Sequence, residues 1–530
     1  MWYCPNGLGR IGLLIAPDLL PYCLVQLMPM LSAPTVSART RSTDNFEAHF
    51  ARFRENTVGA FSFIETPHGH MPLIYADWIA SGRLYRPIEH MLSEQIGAYM
   101  ANTHTESNST GRTMTAAYTH ARSLIKRHVG AHDSDILVAA HSGMTGVVNK
   151  LQRMLGLRVH EKHDALARPK DRSQLPIVFV THMEHHSNQT SWHECLVEVQ
   201  VIPPNDEGLP DLDAYAKLLE EYADRPMKIA AVTSCSNVTG VITPYREIAR
   251  LTHRHGGMCF VDFAASAPYI DIDMRPHDDP DGHLDAIFFS PHKFLGGPGS
   301  SGVLIFCPKL YCNRIPDNPG GGTVDWTNPW GEHKYLDSIE AREDGGTPAI
   351  LQTIKAALAI RLKEEMDTRK MHQREQYLLD RVWQRLEPLD NVTVLAPHLR
   401  NRVGAISFYI DDCHYNLVVR LLNDRYGIQV RGGCHCAGTY GHYLFQLDRE
   451  GSKSIMDEVS AGILQRKPGW VRLSIHPMMT DREVDFILDA IGDIALYHES
   501  WADEYVYDSS VNDFEHKGAR ESSLIREWFG

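Results

Sequence analysis

From residue 135 onward the chain alternates between two hydrophobic periodicities. Short apolar runs, DILVAA (135–140), PIVFV (176–180), VEVQVIP (197–203), KIAAVTS (228–234), GMCFVDF (257–263), DAIFF (285–289) and GVLIFC (302–307), read as strands. Most are apolar at successive positions, the pattern of strands covered on both faces, as in a parallel sheet. Helically spaced segments such as LDAYAKLLEEYA (212–223) and YREIARLTHRHG (245–256) lie between them, the second ending on a glycine that suits a helix terminus. This alternation predicts an α/β fold with a mostly parallel central sheet and helices on both faces. Beyond Thr347 a helical stretch spans roughly 348–385. Strands VTVLAP (392–397) and AISFYI (405–410), a helix near 415–426 and a closing helix from 481 to about 497 follow. This block predicts a smaller α+β domain. The expected organisation is an extension at 1–45, a large domain at 46–345 whose first part also serves the small domain, a small domain at 346–497, and a loosely packed charged tail at 498–530.

Composition narrows the function classes. With 530 residues, 43% hydrophobic and 22% charged, the chain has material for a large core and a second smaller one. A formal charge of −14 without a long basic run excludes general attraction to nucleic acid or anionic membranes. Ten cysteines in so long a chain fit a reducing compartment better than a disulfide framework. The run at 11–31 is apolar, but Asp18 and three prolines interrupt it, so stable membrane insertion is not expected. Arg10 before it and Arg39 and Arg41 after it suit a cleaved targeting peptide, and an unstructured extension fits equally. A cytoplasmic location is expected, with a mitochondrial one as the alternative if the segment is cleaved.

Candidate chemistry centres on FFSPHKFLGGPG (288–299), where Lys293 follows an apolar strand and precedes glycines that let backbone approach a ligand closely. Lysines usually end in water. One at the carboxyl end of a parallel strand instead lies where open α/β sheets bind ligands, and a desolvated lysine amine forms Schiff bases with carbonyl groups. A carbonyl cofactor, pyridoxal 5'-phosphate, would need an anion for its ring nitrogen, a stacking partner and phosphate donors. Asp262 ends its strand in VDFAASAP, although a strand-end Asp taken alone is more often a loop cap. HSGMTGVVNKL (141–151) opens a helix just after a strand, offering N–H groups to a phosphate or simply capping itself. The four histidines of THMEHHSNQTSWH (181–193) match no metalloprotease helix spacing and follow a strand, so no metal is expected there.

These residues resemble the class V pyridoxal-phosphate aminotransferases of fold type I, and within them the cysteine desulfurase and selenocysteine lyase group. The similarity runs from YADWIASGR (75–83) to about residue 494. The resemblance implies that Lys293 carries the cofactor, that Ser290 and His292 of S-x-H-K and Thr145 meet its phosphate, and that Asp262 takes the ring nitrogen. It further implies that His185 of E-H-H-x-N stacks on the ring, that Asn237 of SNVTG reaches the ring hydroxyl, and that Thr347 of GGTP crosses to the phosphate of a neighbouring subunit in a homodimer. RGGCHCAG (431–438) resembles the R-x-G-x-H-C-A loop, placing Arg431 on the substrate carboxylate and Cys436 as the sulfur acceptor, with Arg472 as a second carboxylate-side arginine. Arginine suits that task through its two parallel donors. Catalysis would thus rest on Lys293, Cys436 and His185, acting on a small amino acid, with a sulfur-acceptor protein as a further partner.

Three features depart from the pattern. Ala265 stands where desulfurases usually carry glutamine, Cys434 stands for a usual histidine, and the spacing from Cys436 to Arg472 is longer than expected. Cys434 and Cys436 also suit a small-residue turn, whereas a zinc site would need a second close pair. An aminotransferase, or another lyase or epimerase without use of Cys436, and a non-catalytic scaffold of the same fold therefore stand as alternatives.

Overall fold

The computed structural model describes residues 46–103, 105, 107–140, 142–519 and 524–530, so the apolar run at 11–31 and its targeting reading lie outside the described residues. Seven strands, β1 (Ile136–Ala140), β2 (Ile177–Thr181), β3 (Glu198–Ile202), β4 (Lys228–Thr233), β5 (Met258–Asp262), β6 (Ala286–Phe289) and β7 (Gly302–Phe306), form one sheet in the order β1-β7-β6-β5-β4-β2-β3. Only β7 runs against its neighbours; every other pairing is parallel. The link from β6 to β7 holds a single 3₁₀ turn and glycines, with no crossover helix, so β7 returns antiparallel.

Both faces of the sheet are buried, which is why its strands read as continuous apolar runs. Leu137, Phe179, Val261 and Ile287 meet α1 (Ser109–His128), α4 (Tyr245–Arg254) and α5 (Ile350–Met366) on one face. Val138, Val178, Phe260 and Phe288 meet α2 (Gly143–Met154) and α3 (His186–His193) on the other. Phe260 and Phe288 have no exposed surface, and burying each contributes on the order of 2 kcal/mol.

The expected helix at 348–385 is two helices, α5 and α6 (Thr368–Leu386). Asp367, at φ 65°, breaks it, and its carboxylate accepts the N–H groups of Arg369 and Lys370 at the start of α6. Helical periodicity continues across such a junction and hides the break. A second, antiparallel sheet has the order β8-β9-β11-β10, with β8 (Val392–Val394), β9 (Ala405–Ile410), β10 (Arg431–Gly433) and β11 (Trp470–Ser474). Leu378 and Val382 of α6, Leu421 of α7 (Tyr415–Tyr426) and Ile487 and Ile491 of α9 (Asp481–Ala502) cover it, the helix Gly438–Leu444 being α8. Phe50 and Phe53 join that same core from the start of the described chain, and Ile74–Tyr75 pairs in parallel with Ile428–Gln429.

The closing segment differs from the expected loose tail. Helix α9 continues to Ala502, and β12 (Tyr505–Asp508) with β13 (Asp513–His516) forms a hairpin against α7. Buried Tyr505 donates to Asp424 at 3.0 Å, and Arg425 pairs with Glu504 at 2.7 Å. In YVYD alternate positions, Tyr505 and Tyr507, face inward, a period-two strand signal that helical spacing does not reveal. Among the described residues no helix is long and apolar enough to cross a membrane.

Backbone hydrogen bonds tie the loop after β6 to the segment at 82–83. Gly82 N–H donates to the His292 carbonyl at 2.9 Å and Gly296 N–H to the Arg83 carbonyl at 2.7 Å. A Cβ on Gly82 would stand 1.9 Å from the Phe294 carbonyl oxygen. Gly82→Ala should therefore destabilise the chain by about 3 kcal/mol or more, because rigid backbone must move. Urea unfolding at equilibrium checks this, and a change within 0.5 kcal/mol, an ordinary surface effect, would contradict the close packing.

Candidate active site

The carboxyl ends of the parallel strands, where open α/β sheets bind ligands, converge on a cavity of about 190 Å³. From β1 it receives Ser142, Gly143 and Thr145 at the start of α2; from β2, His185; from β4, Cys235 and Asn237; from β5, Asp262; and from β6, Ser290, His292 and Lys293.

Lys293 closes the 3₁₀ turn Pro291–Lys293, which starts with proline and so needs no N–H at its first position. Burial brings its amine down to about 8; Asp262 opposes that shift, and Arg472 and Arg431 add to it. Near neutral pH this lysine holds a usable fraction of neutral, nucleophilic amine. Asp262 is buried, and burial pushes its carboxyl up to about 6 against the pull of the Ala264 N–H at 2.7 Å and of Lys293. Burial also brings His185 and His292 down to about 4, with Lys293 next in each case, so both imidazoles are neutral at pH 7. His185 caps α3: its Nδ1 accepts the Ser187 N–H at 3.1 Å, which leaves the ring proton on Nε2.

Helix α2 is built to meet an anion. Ser142 at its N-cap makes no side-chain cap, Gly143 turns the chain at φ 63°, and Ser290 Oγ accepts the Met144 N–H at 2.9 Å. Thr145 and Ser187 hydroxyls lie 2.6 Å apart at the same wall. The start of α2 and these hydroxyls can hold a phosphate. Asn237 Nδ2 donates to the His435 carbonyl at 2.8 Å, while its buried Oδ1 has no hydrogen-bond partner.

Cys436 is exposed and does not line this cavity. Its loop is tied to the rim all the same: His186 N–H donates to the Cys436 carbonyl at 2.7 Å, and Gly438 N–H to His186 Nε2 at 3.0 Å. Cys434 is partly buried against the cluster containing Tyr440 and Trp470. Arg431 and Arg472 stand opposite each other on β10 and β11, and both bind one carboxylate, that of Asp77: Arg431 Nε at 3.0 Å and Arg472 at 2.7 Å. Thr347 is exposed and lines a different cavity, of about 260 Å³, which shares Ser142 with the first. The four histidines of 182–193 separate: His182 contacts the Gly208 carbonyl, His185 caps α3, His186 binds the Cys436 loop, and His193 ends α3.

Sequence reasoning missed Asp77, Glu184 and Cys235. Buried Glu184 accepts from Thr181 N–H and Oγ1, Thr233 N–H and Asn188, and so ties β2, β4 and α3 together beside His185. Its i,i+4 relation to Asn188 was a usable signal. No spacing rule links Asp77 to arginines more than 350 residues away.

Comparison with known proteins agrees with this architecture. The family described as Aminotransferase class-V matches residues 74–487. A probable cysteine desulfurase of Halalkalibacterium halodurans is 29% identical over 375 residues, 69% of this chain and 84% of that protein. One of Halobacterium salinarum is 27% identical, covering 69% and 83%. The solved apo cysteine desulfurase of Thermococcus onnurineus superposes with a TM-score of 0.65 at 23% identity over 80% of this chain and 95% of that one, and an Escherichia coli cysteine desulfurase at 0.63 and 22%, over 85% and 98%. Those structures share the fold. Matched over most of its described length, the chain belongs to the aminotransferase class-V family of pyridoxal-phosphate-dependent enzymes.

Proposed function

We propose that the chain binds pyridoxal 5'-phosphate at Lys293 and removes sulfur from a small sulfur amino acid such as L-cysteine, by the same chemistry that would serve selenocysteine, passing the sulfur to Cys436 and releasing alanine. The observation that carries this reading is the convergence of a partly buried lysine with a lowered pKa, a buried strand-end carboxylate and a neutral imidazole on one cavity, with an exposed cysteine loop hydrogen-bonded to its rim. The donor set fits the cofactor: a primary amine near neutrality, Asp262 for the ring nitrogen, His185 for the ring face, and the start of α2 with Thr145, Ser290 and His292 for the phosphate. Asn237 Oδ1, a buried acceptor without a partner, would take a hydrogen bond from the ring hydroxyl. When bound, the cofactor supplies an electron sink for the substrate carbon that loses its proton.

The chain's own groups do the rest. Lys293 Nζ removes the proton from the substrate Cα and later returns one. Asp262, ionised at pH 7, holds a positive charge on the ring nitrogen. Arg431 and Arg472 receive the substrate carboxylate. The Cys436 thiolate attacks the substrate sulfur, so that the S–S bond of a persulfide forms as the substrate C–S bond breaks. Exposure of Cys436 then suits transfer to a sulfur-acceptor protein. Because Cys436 does not line the Lys293 cavity, a second reading, amino-group chemistry without that cysteine, also has an observation in its favour. A homodimer accords with Thr347, which is exposed and faces another cavity, so that the phosphate it serves would belong to a second copy.

Lys293→Ala should lose the visible absorption of the bound cofactor, and borohydride should fix a pyridoxyl group on Lys293 of the wild type; a colourless wild type would end this assignment. Cys436→Ser should keep the absorption and lose sulfide release from L-cysteine by about a hundredfold or more, as expected when a nucleophile is removed. Unchanged turnover would favour the second reading.

Asp262 yields a stability prediction. Its folded pKa lies above that of a free carboxyl, so its ionisation costs nothing below pH 3.8, costs more as pH rises through about 6, and is fully unfavourable above that. In cofactor-free protein at pH 8, Asp262→Asn should therefore be more stable than wild type by up to about 3 kcal/mol, with the gain vanishing towards pH 4. The same variant should lose turnover. Thermal unfolding across pH checks the first outcome.

The dimer is tested by sedimentation. Dimer affinity should rise with bound cofactor, and Thr347→Ala should weaken that linkage. A monomer that binds the cofactor as tightly as any larger species would rule out the role given to Thr347.

A further inference from the structure

Two arginines that face each other across β10 and β11 should repel, and Arg472 is only 2% exposed. The structure resolves this with one carboxylate. Asp77 Oδ1 lies 2.7 Å from Arg472 and its Oδ2 3.0 Å from Arg431 Nε, so a single side chain bridges the pair. Its backbone is fixed from both sides: Asp77 bridges to Ser474 on the arginine-bearing strand, the Ser474 N–H donates to the Ala76 carbonyl at 2.8 Å, and Tyr75 Oη donates to the Asp77 carbonyl at 3.2 Å. The carboxylate at the centre of the bridge is therefore placed by the fold itself.

The pair also adjoins the Lys293 cavity. Arg472 donates to the backbone carbonyl of Asn237 at 2.8 Å, and Asn237 lines that cavity. Arg472 Nε is buried and makes no hydrogen bond, so the guanidinium keeps an unused donor while Asp77 and the Asn237 carbonyl take its two terminal nitrogens. Arg431 is half exposed at 53%, which leaves one side of the clamp open to an incoming anion. Two guanidinium charges and one carboxylate leave a net charge of one, the complement of a single further carboxylate.

We propose that Asp77 is an intramolecular carboxylate ligand of Arg431 and Arg472, a positioning residue that occupies part of the substrate's carboxylate subsite and sets its net charge at one. This rests on the reading above that the two arginines receive the substrate carboxylate. Without Asp77, Arg472 is a buried cation lacking its partner, and an external carboxylate supplies what is missing. With Asp77 present but Arg431 removed, Asp77 neutralises Arg472 and no charge remains for a substrate.

The test uses the full chain carrying pyridoxal phosphate, with sodium acetate as the carboxylate probe and sodium chloride at matched ionic strength as control. Acetate affinity is read from the shift of the thermal unfolding midpoint. Asp77→Asn should bind acetate about tenfold more tightly than wild type, a change of roughly 1.4 kcal/mol. Arg431→Gln should lose acetate-specific stabilisation, and the double variant Asp77→Asn with Arg431→Gln, restored to a net charge of one, should regain it. If Asp77 merely props up the fold, Asp77→Asn will bind no more tightly than wild type and the double variant will bind acetate no better than Arg431→Gln, and either result overturns the proposal. Should Asp77→Asn alone fail to fold, the comparison of the double variant with Arg431→Gln decides the matter. Acetate has neither an amino group nor sulfur, so failure of sulfide release from L-cysteine would sink the proposed reaction without altering this outcome.

Discussion

A lysine amine partly withdrawn from water at the mouth of a parallel sheet is the constraint around which the rest is arranged. Burial disfavours its charged form, and the cost can be relieved by a nearby anion or by losing the proton. The fold does some of each. Asp262 lies close enough to favour the charge, while Arg472 and Arg431 push the other way, and the amine comes to rest near 8. That balance requires the loop to stay where it is. Gly82 and Gly297 provide this, since a Cβ on either would stand 1.9 Å from a backbone oxygen of the lysine loop: Gly82 packs a segment distant in sequence against it, and Gly297 folds the loop onto itself.

The same low dielectric sets the behaviour of the neighbouring acids. Burial raises Asp262 to about 6 and Glu184 to about 8, yet Glu184 has four donors converging on it and no acceptor, an arrangement that favours its carboxylate. Glu184 joins the ends of β2 and β4 to the first turn of α3, and that junction aims His185 at the cavity. A stable protein would gain from replacing Asp262 by a neutral group. Its carboxylate also accepts the Ala264 N–H at 2.7 Å, and its charge at pH 7 is the kind that a cationic group of a ligand would use.

The sheet was legible because two-sided burial writes itself into sequence: Phe179, Val180, Phe260 and Val261 are apolar in succession since each neighbour faces a different core. Lys293, Asp262 and His185 were legible for a related reason, each ending or closely following such a strand. What was not legible depended on side chains folding back over local pattern. Asp367 breaks a helix by capping the next one, and the hairpin from 505 to 516 has a period-two pattern only in its first strand, too short to stand out in a charged segment. Asp77 sits beside a recognisable motif, but its partners are defined only by a register, Arg431 against Arg472, that no local spacing encodes.

The cysteine loop shows how strain is retained and made useful. His435 and Cys436 adopt φ values of 51° and 57°, in the left-handed region that costs a side-chain-bearing residue roughly 1–3 kcal/mol. The turn survives because each of its carbonyls is held: that of Cys434 by Ala437 N–H at 3.0 Å, that of His435 by Asn237, and that of Cys436 by His186. Two of those three anchors belong to the rim of the Lys293 cavity or to the residue next to His185. Any ligand that shifts Asn237 or His186 therefore weakens the hold on a turn already under strain, and relaxation of that turn moves the Cys436 thiol. The cysteine turn is thus tied to the cavity through two hydrogen bonds, from Asn237 and His186, although the Cys436 sulfur does not line the cavity wall.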